Sequence, residues 1–237
     1  MSKARGNVIN PDDVVKEFGA DSLRLYEMFM GPLEMVKPWS TKGIEGVYRF
    51  LGRVWRLFVD EKTETDFEQN LTVQPDRGAE WLEQIKLHPA IAESQPTDAQ
   101  LKTLHACIKK VTEDLDGLRF NTAISALMVF VNEAMTWEQR PRVVLREFLL
   151  LLHPFAPHVA EELFAKLEPR APGGATPSPL AYEPWPKHNP ALLVEATLEI
   201  PVQVNGKLRD RITVPATATQ EELEQAALAC EKVKPLL

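Results

Sequence analysis

The sequence has few cysteines and no long apolar run. Only Cys107 and Cys230 occur in 237 residues, and neither has a second cysteine nearby, so we expect no disulfide framework and no zinc site. No stretch reaches the roughly 20 apolar residues of a membrane-spanning helix, and the N-terminus has no signal-peptide or transit-peptide pattern. The few cysteines predict a reducing compartment, and we expect a cytoplasmic protein without a membrane partner; the alternative is an organellar protein whose targeting segment precedes Met1.

An excess of positive charge is also lacking. The 27 lysines and arginines are outnumbered by 34 aspartates and glutamates, which gives a net charge of -7. No global field would draw a nucleic acid to this chain, so any such binding must rest on local basic patches. The length permits a sizeable core in one or two domains.

Most of the sequence carries helical signals. Asn10 and Pro11 are typical of a helix start, and Gly19 of its end. A second helix is predicted over 21–30, and apolar residues at helical spacing predict longer helices over 40–60, 97–115, 122–135, 141–152 and 158–167. Residues 61–96 are acidic and interrupted by proline and glycine, so we expect an excursion there with one short helix around Trp81.

The last third changes character. Seven prolines between 168 and 190 predict a wrap over the bundle, pinned by Tyr182 and Trp185. Apolar residues alternate with polar ones on both sides of Asn205-Gly206, which predicts a β-hairpin, and a capped helix follows it.

The length of the hairpin loop decides its register. A two-residue loop pairs Val204 with Lys207 and sets valines beside cations. A three-residue loop, with Gly206 in a left-handed conformation, pairs Val202 with Leu208. We expect the three-residue loop.

Two groups of basic side chains are candidate contacts for a phosphate backbone. One lies on a face of the predicted helix over 40–60 and the other on a face of the hairpin: Arg49, Arg53 and Arg56, and Lys207, Arg209 and Arg211. A solvated surface has the same pattern. No metal site is expected, because His153, His158, Glu161 and Glu162 lack the spacing of a zinc protease.

The first residues carry the most specific chemistry. MSKARGNVINPDD places Lys3 in a small-residue loop before a capped helix, a common way to hold phosphate. The stretch resembles the signature loop Lys-Met-Ser-Lys-Ser of class I aminoacyl-tRNA synthetases. Met1, Ser2 and Lys3 match the second to fourth positions of that loop, and Ala4 stands where the family has serine.

EFGADSLRLYEMFMGP resembles the segment that follows this loop in the leucyl branch of the class. RFNTAISALMVFVNE and HPFAPHVAEELF resemble the anticodon-binding helical domain of class I synthetases. VQVNGKLRDRITVP resembles the start of the small C-terminal domain of bacterial-type leucyl-tRNA synthetases. The resemblance implies a mostly α fold: a signature loop and stem-contact segment over 1–39, an anticodon-binding helical bundle over 40–190, and the start of a small α+β domain over 191–237. The nucleotide-binding fold, the editing domain and the HIGH motif would precede Met1.

The resemblance also implies part of an enzyme that activates leucine with ATP and Mg²⁺ and passes it to tRNA(Leu). Lys3 would then be catalytic, Met1 and Ser2 would contact ATP beside it, and the six basic side chains named above would contact tRNA. We expect a monomer that is inactive without the rest of the enzyme. The alternatives are a valyl or methionyl relative, a tRNA-binding module without catalysis, and a helical scaffold that binds protein.

Overall fold

The computed structural model describes residues 9–32, 34–73, 82–168, 179–193, 197–204, 207–215, 218–230 and 233–234. Within these ranges the side chains of 67, 68, 70–73, 197–199, 207, 208 and 215 are not described. The chain divides into two compact units, residues 1–192 and residues 193–237. Helices dominate the first unit, which confirms the expected mostly α fold class.

A pair of short helices opens the described part: α1 (Pro11–Phe18) and α2 (Ala20–Phe29). Asn10 caps α1 as predicted, because its side-chain oxygen accepts from the Asp12 amide at 3.3 Å. Gly19 joins the two helices with a φ of 85°, a conformation in which other residues are strained. The sharp turn therefore depends on glycine at this position.

The next helix is α3 (Thr41–Phe58). Of its predicted apolar stripe it buries Ile44, Val47, Val54 and Phe58, whereas Leu51 is only partly buried. Ser40 precedes the helix, but its side chain makes no capping hydrogen bond. Its amide donates to the Tyr26 hydroxyl at 2.7 Å instead. Ser40 was thus correctly placed before the helix, while its predicted role as a side-chain cap is wrong.

Helix α4 (Glu61–Val73) was not predicted. Asp60 begins it, since its carboxylate accepts from the Lys62 amide at 3.1 Å, and acidic residues in the first turn favour the positive end of the helix dipole. The segment has too little apolar periodicity to be recognised as a helix. The short helix expected over 79–87, around Trp81, is described from residue 82 onward; residues 82 and 83 are helical, but 84–87 are not.

Four helices complete the bundle in the described part of the first unit: α5 (Asp98–Asp116), α6 (Phe120–Ala134), α7 (Arg142–Leu152) and α8 (Pro157–Leu167). Thr97 and Gln100 form the predicted capping box at the start of α5. The predicted cap at Asn121 is wrong, because α6 begins at Phe120 and Arg119 precedes it. Pro141 stands just before α7 rather than inside it.

A buried carboxylate organises the turn between α5 and α6. Asp114 is fully buried, and it accepts from Arg119 Nε at 2.9 Å and Lys110 Nζ at 3.0 Å. Burial alone would raise the pKa of Asp114, but hydrogen bonds from Thr122, Lys110 and Arg119 outweigh it, so the pKa lies below its usual value.

The core lies where α3, α6 and α7 meet. Phe130 stacks on Phe148 with ring centroids 4.6 Å apart, and Phe148 in turn faces Phe58 at 6.5 Å. Each of these rings is at most 1% exposed. Burying a side chain of this size contributes roughly 1.5–3 kcal/mol, so the three rings fix how these helices pack.

Two very short strands, β1 (Ile91–Ala92) and β2 (Arg140–Pro141), pair in parallel. They were not predicted, since two residues give no recognisable alternation. They place the Arg140 side chain, which is 5% exposed, under the end of α3.

The proline-rich wrap is described from residue 179 onward. Leu180 is buried, and Trp185 Nε1 donates to Thr112 Oγ1 at 2.9 Å. Tyr182 is 81% exposed, so its predicted anchoring role is wrong and Leu180 takes that role. Further along, His105 Nδ1 accepts from the Asn189 amide at 3.1 Å. Burial, with the nearby His188, lowers the pKa of His105, which favours the neutral acceptor.

The second unit contains the hairpin β3 (Thr197–Val204) and β4 (Lys207–Pro215), followed by α9 (Gln220–Ala229). The expected register is wrong: Val204 pairs with Lys207, and Val202 pairs with Asp210. A bulge next to Val202 leaves Arg209 without a partner and shifts the register by one residue. The shift restores apolar pairs further along the strands, such as Ile200 with Ile212. The turn residues, 205 and 206, lie outside the described ranges.

No helix within the described ranges is both long enough and apolar enough to cross a membrane.

Candidate nucleic-acid interface

The basic face predicted on α3 is partly open to solvent. Arg49 and Arg56 are exposed, whereas Arg53 is half-buried. The Arg49 side chain is 72% exposed, and its Nη1 lies 4.0 Å from Glu45 Oε2, one turn earlier. Such a long and exposed ion pair contributes little to stability. Arg49 can therefore exchange this partner for another anion at low cost.

Arg53 is held by a neighbouring helix. Its Nη1 donates to Asn132 Oδ1 on α6 at 2.9 Å, which joins the two helices. The structure thus brings Arg49 and Arg56 to the surface and places Arg53 in a protein contact. The assignment of all three to RNA stays a prediction.

Arg56 stands at a rigid end of its helix. Its guanidinium forms no hydrogen bond or ion pair with any residue that the structure describes. Below it, Arg140 Nη1 donates to the Leu57 carbonyl at 2.7 Å and to the Arg56 carbonyl at 3.4 Å. Burial lowers the pKa of Arg140, and the negative end of the α3 dipole favours its charge. Arg56 therefore projects from a backbone that is fixed from beneath.

A cleft of about 910 Å³ opens beside Arg56. Residues Tyr48, Gly52, Trp55 and Arg56 line its α3 side. Glu61, Glu64 and Thr65 of α4 also line it. The cleft thus combines aromatic rings and a cation from α3 with two carboxylates from α4.

Asp21 fixes the floor of this cleft by capping a distant helix. Its carboxylate is nearly buried and accepts from the Val159 amide at 2.8 Å, while His158 Nδ1 lies 2.8 Å from the other oxygen. Ala156 at the N-cap of α8 offers no side-chain acceptor, so Asp21 supplies one from α2. One turn later, Arg24 donates to the Pro154 carbonyl at 2.9 Å. Helix α2 is therefore fastened to the turn between α7 and α8.

The second basic group lies in the hairpin unit. Arg209 and Arg211 are both exposed, and Arg209 is the bulged residue of β4. The side chain of Lys207 is outside the described ranges, so the structure shows the exposure of two of the three predicted side chains. Their contact with tRNA stays a prediction.

Met1, Ser2 and Lys3 lie outside the described ranges, and so does Ala4. Their roles in ATP binding and catalysis therefore stay predictions. The nearest described element is α1, whose cap at Asn10 follows Lys3 by seven residues.

The histidines considered for a metal site have protein partners. His153 Nε2 lies 3.3 Å from Glu161 Oε1, and His158 contacts Asp21. Within the described part of the chain, no three His, Cys, Asp or Glu side chains come together to hold a metal ion. Burial raises the pKa of the Cys107 thiol to about 12, so this cysteine is a poor metal ligand and a poor nucleophile.

Sequence reasoning missed the cleft and the role of Asp21. Tyr48 and Trp55 interleave with the arginines of α3, and aromatic rings among basic residues are a known signal of nucleic-acid binding. That signal was present in the sequence. The role of Asp21 had no such signal, because its partners lie about 137 residues away in sequence.

Comparison with known proteins gives a family match over residues 99–225, described as the anticodon-binding domain of tRNA ligase. This match covers more than half of the chain. The leucine–tRNA ligases of two strains of Leptospira biflexa serovar Patoc are each 48% identical to it over 235 residues. Those residues make up 99% of this chain and 24% of each relative, so the chain spans about a quarter of their length.

A similar solved structure is the ternary complex of Agrobacterium radiobacter K84 agnB2 LeuRS with tRNA and LeuAMS. It has a TM-score of 0.69 and 32% sequence identity, and the match covers all of this chain and 28% of that one. This chain is thus similar in sequence to the two Leptospira proteins and similar in fold and sequence to the Agrobacterium protein.

Proposed function

The chain belongs to the family of the anticodon-binding domain of tRNA ligases, and from that membership we propose that it is the tRNA-binding portion of a leucine–tRNA ligase. The observation that carries the proposal is the 48% identity to leucine–tRNA ligases along 99% of the chain. Identity over helices, wrap and hairpin alike favours the leucyl enzyme over valyl or methionyl relatives.

The whole enzyme would activate leucine with ATP, release pyrophosphate, and pass the leucyl group to the terminal ribose of tRNA(Leu). Lys3 would act in the first step. Negative charge accumulates on the phosphates as pyrophosphate leaves, and a positioned ammonium stabilises it. Ala4 cannot supply the hydroxyl that the family has at this place. Mg²⁺ would accompany ATP, and we assign it no ligand on this chain.

The helical unit would hold the tRNA by charge. Arg49 and Arg56 face solvent on α3 and can meet phosphates, as can Arg209 and Arg211 on the hairpin. Arg53 would join them only by leaving Asn132. Because the chain carries a net charge of -7, binding would depend on these local groups and would weaken as salt screens them. We propose a cytoplasmic monomer.

Filter binding of the 237-residue chain to a tRNA(Leu) transcript, at salt concentrations from 50 to 200 mM, tests the RNA role. We expect the dissociation constant to rise steeply with salt, since each phosphate contact adds roughly one to the slope of log Kd against log salt. A protein-binding scaffold would not retain the transcript even at low salt, and that result would refute the proposal.

Pyrophosphate exchange tests the catalytic assignment. The complete enzyme should exchange pyrophosphate into ATP when leucine is present, and the Lys3→Ala variant should lose at least a hundredfold in kcat, as for loss of one transition-state donor. The 237-residue chain alone should show no exchange. Robust exchange by the chain alone would contradict the assignment.

A further inference from the structure

The exposed side of α3 has a feature that its basic face, Arg49, Arg53 and Arg56, does not explain. Tyr48, Gly52 and Arg56 follow one another at intervals of four residues, so they lie along one face of the helix. Gly52 is exposed, and a Cβ at this position would meet no atom within 4 Å. The helix therefore has an open gap between an aromatic ring and a guanidinium.

Tyr48, Gly52 and Arg56 line the cleft from α3. Tyr48 is 52% exposed, and its ring is steadied by an edge-to-face contact with Phe18 at 5.8 Å. Trp55 is partly buried one turn from Gly52 and adds a second ring. Eight residues separate Tyr48 from Arg56, which is about 12 Å along the helix and leaves room for a nucleotide between them.

We propose that this cleft binds one unpaired nucleotide of the tRNA. The base stacks on Tyr48 or Trp55, its phosphate lies at Arg56, and the missing side chain at Gly52 lets the ribose approach the helix. The Glu61 carboxylate, which lines the cleft from the start of α4, accepts a hydrogen bond from an amino group of the base. The inference rests on the proposed tRNA-binding function and names the part of the RNA that this site takes.

The rings and the guanidinium of the cleft favour an RNA nucleotide over a peptide, although Glu61 and Glu64 of α4 also line it. An aromatic ring beside an arginine is the usual combination for an unpaired base and its phosphate, and the Arg56 guanidinium has no partner among the described residues. In the proposed complex the Glu61 carboxylate meets the edge of the base, and Arg56 meets the phosphate. Another protein segment covering the cleft is an alternative that the following test distinguishes.

Glycine gives a test that separates binding from folding. Gly52→Gln fills the gap, and Gly46→Gln is its matched control on the same helix, since an added Cβ meets nothing within 4 Å there either. At 3.6 residues per turn, Gly46 lies about a third of a turn away from Gly52. Glutamine is a better helix former than glycine, so both variants should melt at or above the wild-type Tm.

Binding of the 237-residue chain to a tRNA(Leu) transcript is then measured by filter retention. We expect Gly52→Gln to weaken binding roughly five- to 150-fold, as for loss of one stacked base, without changing the slope against salt. Gly46→Gln should bind like wild type. Tyr48→Leu should lose affinity similarly, while Tyr48→Phe, which keeps the ring, should retain it.

If the wild-type chain binds the transcript, the proposed function stands. Any one of three results would then overturn the inference. They are equal affinity of Gly52→Gln and wild type, equal loss in Gly46→Gln, or equal loss in Tyr48→Phe and Tyr48→Leu. A protein segment covering the cleft would give the first of these results. If the wild-type chain does not bind the transcript at all, the proposed function fails and the inference fails with it.

Discussion

Replacing Asp21 with alanine should destabilise the helical unit more than any other loss of a single cap. Asp21 belongs to α2, yet its carboxylate accepts from the Val159 amide at 2.8 Å and lies 2.8 Å from His158 Nδ1 at the start of α8. Ala156 cannot replace it, since it has no side-chain acceptor. The substitution therefore leaves α8 uncapped and releases one of the polar contacts that fasten α2 to the bundle.

The magnitude follows from two contributions. Loss of a helix N-cap costs roughly 0.5–2 kcal/mol. Loss of a negative charge at a partly buried helix N-terminus costs up to about 2 kcal/mol. Because Asp21 is only 8% exposed, solvent screens these interactions weakly, and we expect a total of about 2–3 kcal/mol.

Urea unfolding followed by tryptophan fluorescence measures this loss. All five tryptophans lie between residues 39 and 185, inside the first unit, so the signal reports that unit alone. Asp13→Ala is the control matched for charge, because Asp13 is exposed in the first turn of α1; it should cost less than about 0.5 kcal/mol. Equal effects of the two substitutions would refute the reasoning.

Three further predictions concern stability and reactivity. Asp114→Asn should lower the free energy of unfolding by about 2 kcal/mol near neutral pH, because Lys110 and Arg119 lose their charged acceptor. Both donors are half-exposed, so solvent limits this loss. The folded-state pKa of Asp114 is lowered, so its ionised form stabilises the fold above the unfolded pKa of about 3.9. This stabilisation is lost as pH falls through the folded pKa. The urea midpoints of the variant and the wild type should therefore converge below about pH 4. Gly43→Ala should lower the free energy of unfolding by about 1–3 kcal/mol, because the new Cβ would lie 2.5 Å from Tyr26 Cε2. Gly46→Ala should instead raise the free energy of unfolding by up to about 1 kcal/mol. The same urea titration measures both changes. A thiol reagent should label native Cys230 well before Cys107, whose thiol is buried with a pKa of about 12, and equal labelling rates by mass spectrometry would contradict the burial of Cys107.

Local signals in the sequence were sufficient for much of the helical fold. Asn10 and the Thr97–Gln100 capping box act on amides two or three residues away, so their roles follow from sequence spacing alone. The apolar stripe of α3 repeats over the whole length of that helix. The existence of these helices could be predicted for this reason, and the structure confirms it.

Interactions distant in sequence could not be predicted in the same way. Asp21 caps a helix 137 residues away, and Arg140 holds the end of α3 from a two-residue strand. The predicted hairpin register was wrong for another reason. Without a bulge, a two-residue turn does not pair the apolar residues of the two strands, so a three-residue loop was expected. The bulge that leaves Arg209 unpaired allows both.

The candidate site was predicted in part. The charged side chains of α3 were recognised by their spacing, but spacing cannot tell that Arg53 turns toward Asn132 while Arg56 stands beside a cleft. The cleft itself lies among residues of α2, α3, α4 and α8, and the sequence did not reveal α4. The six basic residues and Lys3 remain predictions for the experiments above.

The salt dependence of tRNA binding by an arginine double variant tests the central claim most directly. Arg49→Gln combined with Arg56→Gln removes two exposed cations of α3. Lys109→Gln combined with Lys187→Gln removes two exposed cations elsewhere and is the control. We expect the slope of log Kd against log salt to fall by about two in the arginine variant and to stay unchanged in the control. An unchanged slope in the arginine variant would show that this face of α3 does not hold the RNA.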